Sequence, residues 1–97
     1  MTSFVAECFW IGVTLDDLCR LDERATTAVD KVVLDGEEVR YLGSVLMRTD
    51  EVVLCFFEGS AGVVERVAEE AGIPFERLLE TASSPWAVRE RTLRGDD

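Results

Sequence analysis

Glu7 is the first residue whose type and setting invite chemistry. It stands within the apolar run at residues 4–10, with Val5 and Phe9 two places to either side. Side chains of an extended chain alternate between two faces, so Val5, Glu7 and Phe9 share one. A carboxylate in apolar company loses water, its pKa rises, and it becomes a general base near neutral pH. The same setting suits a structural ion pair, with Arg40 of the same chain or of a second copy as the cation. The ion pair is the weightier reading, because structural networks also perturb carboxylates. Arg40, Tyr41 and Ser44 follow closely on one another and would line a cavity beside Glu7 if they share its face. Glu7, Arg40, Tyr41 and Ser44 are therefore the candidate ligand-binding set, with Glu7 the candidate catalytic residue. Ordinary edge-strand positions are the plain alternative for the last three.

The chain has three cysteines and no histidine. Cys8 and Cys55 lie in similar contexts, ECFW and LCFF. As a pair they would form a redox couple or a soft-metal site. Buried thiols more commonly pack as small apolar side chains, and no cation is expected beside either to activate it. Cys19 falls at the edge of a helical stripe, where packing is again the default. The doublets Asp16-Asp17, Glu37-Glu38, Asp50-Glu51 and Glu69-Glu70 lack the ligand spacing of a calcium loop and read as solvated surface. Without histidine the commonest general base and transition-metal ligand are missing. No glycine-rich phosphate loop and no GxSxG serine is present. No metal site and no cofactor is expected.

These residues need elements to hold them. Residues 3–10 alternate and carry aromatic and branched side chains, so they form a strand. Thr14 with Asp17 makes a capping box, and Asp16 and Asp17 suit a helix's first turn. Leu15, Leu18, Leu21, Ala25, Val29 and Val32 then form one apolar stripe. The Asp35-Gly36 pair ends that helix. A second strand spans 39–47, a polar turn 48–51, and a third strand 52–58, apolar on both faces. Ser60 caps a second helix with a stripe at Val63, Val64, Val67, Ala68 and Ala71, closed by Gly72. A short fourth strand is expected at 78–82. Residues 1–84 make one domain and 85–97 a C-terminal tail, in which Pro85 opens a helical turn and Trp86 anchors it.

The order is βαββαβ, and an internal echo supports it. VAECFWIG at 5–12 aligns with VVLCFFEG at 52–59, and with one residue slipped Thr14, Leu18 and Leu21 match Ser60, Val64 and Val67. Two βαβ units packed about a pseudo-twofold make an α+β ferredoxin-like sandwich, an antiparallel sheet with both helices on one face. The echo places Cys8 and Cys55 side by side, facing the helices, on what would be adjacent parallel strands. Val5, Glu7, Phe9, Val52, Leu54 and Phe56 fall on the opposite, uncovered face. That face is too apolar for water, so two copies are expected to pack sheet to sheet as a dimeric α+β barrel.

The pieces FVAE at 4–7, GVTLDDL at 12–18, EEVRYLGSVL at 37–46, DEVVLCFFEGS at 50–60 and EEAGIPFERLLE at 69–80 resemble a family of small ferredoxin-like bacterial proteins of unknown function, some of which bind nickel. The resemblance spans about 80 residues, and it implies a small dimer of that fold. Nickel-binding members carry a histidine after the AG dipeptide, where this chain has Ile73, so the nickel site is not carried over and little nickel affinity is expected.

Of the 97 residues, 20 are acidic and 10 basic, for a net charge of −10. That balance argues against nucleic-acid binding and against an anionic membrane surface. The N-terminus lacks a basic and long apolar leader, and free thiols suit a reducing compartment, so a cytoplasmic protein is expected. The function expected is a dimeric binding module for a small ligand, an ion or a partner protein. The alternative is a cofactor-independent isomerase, cyclase or monooxygenase using Glu7 in a cavity on the open face, which rests on fold analogy.

Overall fold

Thr14 starts the first helix, α1 (Leu15–Leu34), by a reciprocal cap: its side chain accepts from the Asp17 N–H at 3.1 Å, and Asp17 accepts from the Thr14 N–H at 2.9 Å. The Asp35–Gly36 pair ends the helix, Gly36 at a φ of 93° that only glycine adopts freely. Around it the computed structural model, which describes residues 2–82, places β1 (Ser3–Phe9), β2 (Val39–Met47), β3 (Val52–Gly59), α2 (Ala61–Glu70) and β4 (Arg77–Thr81). The expected tail at 85–97, with Trp86, lies outside the described residues.

The strands form one sheet in the order β2-β3-β1-β4, every neighbouring pair antiparallel. With both helices on one face this is a ferredoxin-like α+β fold. The antiparallel pairing of β1 with β3 corrects the expectation that Cys8 and Cys55 sit on parallel neighbours. The helical crossover through α1 makes β2 parallel to β1. The tight turn at 48–51 reverses the chain, so β3, entering the gap between them, runs against both.

The helix-covered face holds the core. Phe4, Ala6 and Cys8 of β1 and Val53, Cys55 and Phe57 of β3 meet Leu21, Ala25 and Val32 of α1 and Val64 and Val67 of α2. The α1 stripe is rotated slightly from expectation: Ala28 is buried, while Leu15, at the first turn, is exposed. Register also locates the pseudo-twofold. The echo that matches Val5 with Val52 and Cys8 with Cys55 matches Glu7 with Leu54, and these two are direct cross-strand partners. The axis therefore passes between Glu7 and Leu54, at the middle of the sheet.

Candidate functional site

On the open face, register sets the side chains in lines across the sheet. Val45, Leu54, Glu7 and Arg77 form the central line, one residue from each strand. Met47, Val52 and Phe9 form the line on one side of it; Gly43, Phe56, Val5 and Leu79 form the line on the other. The next line is polar, with Arg40, Glu58, Ser3 and Thr81. Phe9, Val45, Met47 and Leu79 are all exposed. Thus the face is an apolar field with one charged pair near its centre and a polar edge.

That pair is Glu7 with Arg77. Glu7 Oε1 accepts from Arg77 Nη2 at 2.8 Å and Nε at 2.9 Å, and the Glu7 side chain is only 18% exposed against 61% for Arg77. The ion-pair reading of Glu7 holds, with a different cation from the one expected. Arg40 does lie on the open face, but its partner is Glu58, at 3.2 Å on the polar line. Alternation along β4 puts Arg77 on the Glu7 face; the sequence signal was available, but the strand starts one residue earlier than its apolar pattern indicates.

Tyr41 and Ser44 are on the other side of the sheet, and the candidate set is divided accordingly. Both donate to Asp22 Oδ1 of α1, Ser44 Oγ at 2.7 Å. The cause is a bulge. Between Tyr41 and Gly43 the pairing with β3 slips, so Leu42 and Gly43 together span one step of the ladder. Gly43 accommodates the distortion at a φ of 116°. Tyr41 and Ser44, three residues apart, then face the same way, toward the helices. Asp22 belongs to no motif, although its position gives a signal. It lies four residues after Leu18 and three before Ala25, a carboxylate beside the buried stripe.

Together these groups make a short polar chain under α1. Burial, reinforced by the hydrogen bond to Asp22, pushes the Tyr41 hydroxyl well above its ordinary pKa of 10.0. The Tyr41 ring packs against Phe57, with centroids 5.1 Å apart and planes tilted by 54°. Cys55 neighbours both Tyr41 and Cys8. Hydrogen bonding from Cys55 lowers Cys8, and Cys55 is correspondingly raised by Cys8 and by burial. Both sulfur-bearing side chains are fully buried, which keeps reagents from either thiol. Cys19 is exposed on α1.

A further contact ties two loops at one end of the sheet. Glu51, at a φ of 53°, closes the β2–β3 turn and its Oε2 accepts from the Gly12 N–H at 2.6 Å. The Trp10 N–H donates to the Glu51 carbonyl at 2.9 Å. This polar turn therefore positions the end of β1, including Phe9. On the helix side a groove of about 360 Å³ runs between α1 and α2, lined by Glu23, Arg24, Thr27, Ala28, Lys31 and Glu70. It contains none of the candidate residues. Among the described residues no group of three or more His, Cys, Asp or Glu side chains is placed to hold a metal ion. No described helix is long and apolar enough to cross a membrane.

No family model matches the chain, and no curated protein matches it. Among solved structures it is similar to the crystal structure of SCO4226 from Streptomyces coelicolor A3(2), with a TM-score of 0.69 and 24% identity, over 84% of this chain and 98% of that one. The likeness is one of fold, a ferredoxin-like sandwich of nearly the same extent.

Proposed function

We propose that the protein is a homodimeric binding module whose working surface is the open sheet face, and that the first occupant of that face is a second copy of the chain. The observation behind this reading is the exposure of Phe9, Val45, Met47 and Leu79 on a face that no described helix covers. Its apolar field and polar edge, at Arg40 and Glu58, match the anatomy of a protein–protein interface. A pair of about 800 Å² per partner is of ordinary size. Glu7, engaged by Arg77, serves as the interface's central ion pair and not as a free base. A small ligand, an ion or another protein would be held between or beside the stacked sheets.

Light scattering at micromolar concentration tests this. The expected mass is twice the 10.8 kDa of the chain; a monomer overturns the reading. Leu54→Glu puts a second carboxylate directly opposite Glu7 in the centre of the face and is expected to give a folded monomer, with far-ultraviolet circular dichroism unchanged. Should that variant lose its fold, Phe9→Ser, at a position 58% exposed in the single chain, provides the same comparison. A dimer that survives both changes also overturns it.

A further inference from the structure

We infer that the two copies stack with β2 of each over β4 of the other, so that the Val45–Leu54 half of one face covers the Glu7–Arg77 half of its partner's. This rests on the dimer proposed above and adds its orientation. A twofold axis that brings two like faces together must lie in the plane between them. We take the aligned class of face-to-face packing, in which the strands of the two sheets stay within about 30° of each other, and not the orthogonal class. Two settings remain for an axis through the middle of the field: along the strands, or across them.

The central line distinguishes the two. With the axis across the strands, each of its residues meets its own copy, so Glu7 lies over Glu7 and Arg77 over Arg77. Like charges then face one another across a desolvated gap of about 10 Å between sheets, which side chains fill. With the axis along the strands, the outer strands exchange. Leu54 then lies over Glu7 and Val45 over Arg77, and each ion pair stays intact beneath apolar cover. Side-chain size does not decide between the settings, because Val5 meets a phenylalanine in both: Phe56 in one, Phe9 in the other. Charge does decide, since only the exchange of outer strands avoids setting carboxylate against carboxylate.

Val45 is the position that reads this out. It is 48% exposed in the single chain and lies outside the core. In its own chain it is three strands from Arg77, about 14 Å, farther than the Debye length of about 8 Å at physiological salt. Dimer dissociation constants of Val45→Glu and Val45→Lys, measured by sedimentation equilibrium, provide the test. Val45→Lys brings a cation onto the partner's Arg77 and is expected to weaken the dimer about tenfold more than Val45→Glu, which brings an anion there. The net charge of −10 per chain favours the opposite order, so this ranking cannot arise from overall repulsion. Equal weakening, or a weaker dimer with Val45→Glu, overturns the inference. An equimolar mixture of the two variants that associates more tightly than either alone also overturns it, because it puts β2 over β2. A wild-type monomer in the same experiment instead removes the dimer itself.

Discussion

The two faces of this sheet are made by the same strands, yet they treat polar groups in opposite ways. On the helix side, Tyr41 and Ser44 converge on Asp22, and the thiols of Cys8 and Cys55 sit beside them without reaching solvent. Each of these groups finds its partner within the chain, and no buried side-chain nitrogen or oxygen among the described residues lacks one. On the open side, Glu7 and Arg77 also satisfy each other, but no described helix covers the apolar field around them, and its Phe9, Val45, Met47 and Leu79 are exposed. The first face is complete in a single copy. The second still has free energy to gain by association, because burial of apolar surface is worth roughly 25 cal/mol per Å². Chemistry-bearing residues are thus found where the fold needs them satisfied, and the unfinished surface is mainly hydrocarbon. This contrast is why the reading favours recognition over catalysis.

The sharpest way to break the contrast is to truncate adjacent phenylalanines of β3. Phe57 is fully buried against the helices, and Phe56 lies on the open face. Phe57→Ala is expected to cost about 3–5 kcal/mol at any protein concentration. Phe56→Ala is expected to cost far less in the single chain, and its effect should grow with concentration under the proposed dimerisation. Urea denaturation over a concentration series measures both. Similar, concentration-independent losses for the two variants would make the faces energetically alike and remove the basis of the comparison.

The faces were largely legible in the sequence, because strict alternation over residues 4–9 and 52–57 assigns each side chain once one is fixed. The capping box at Thr14 and the glycine stop at Gly36 were legible for the same local reason. Strand direction was misread at Cys8 and Cys55, since an echo shows that two segments are alike and not how they run beside each other. Tyr41 and Ser44 were misplaced by a bulge at Leu42 and Gly43, which shifts the phase of alternation within a single strand. A glycine inside a strand is the only local sign of such a slip. Partner choice was the least legible part. Glu7 takes Arg77 because β4 lies beside β1 and starts at Arg77, one residue before the apolar pattern that marks the strand.

A moderate effect is expected from the polar chain itself. Tyr41→Phe leaves Asp22 with Ser44 alone and is expected to cost about 1–2 kcal/mol, as for the loss of one partly buried hydrogen bond. The pH dependence gives a second readout. The folded-state pKa of Tyr41 is raised, so its contribution is fully present below about pH 10 and is lost as pH rises toward the higher folded value. Tyr41 is the chain's single tyrosine, which makes the ultraviolet band of tyrosinate a reporter of this site alone. In urea the band should appear around the ordinary 10.0; in the folded protein it should appear only as the protein unfolds at higher pH. A folded-state titration that coincides with the unfolded one would show Tyr41 in water and separate Asp22 from the core.

The smallest expected effect concerns how the two helices that make the faces unlike are started. Thr14 and Ser60 both occupy N-cap positions in extended backbone, and both looked like caps in the sequence. Only Thr14 acts through its side chain: its hydroxyl takes the Asp17 N–H while Asp17 returns a bond to the Thr14 N–H, and the Ser60 side chain makes no capping bond. The difference follows from what comes three residues later. After Thr14 that residue is Asp17, able to reach back, whereas after Ser60 it is Val63, which has no acceptor to offer. Thr14→Ala is therefore expected to lower stability by about 1 kcal/mol, and Ser60→Ala by a few tenths, on the order of an uncapped start. Thermal unfolding of the two variants, compared at one concentration so that the proposed association is held constant, reads the difference directly. Equal losses would mean that Ser60 caps α2 in solution after all, and that both helices are held onto the covered face by the same local device.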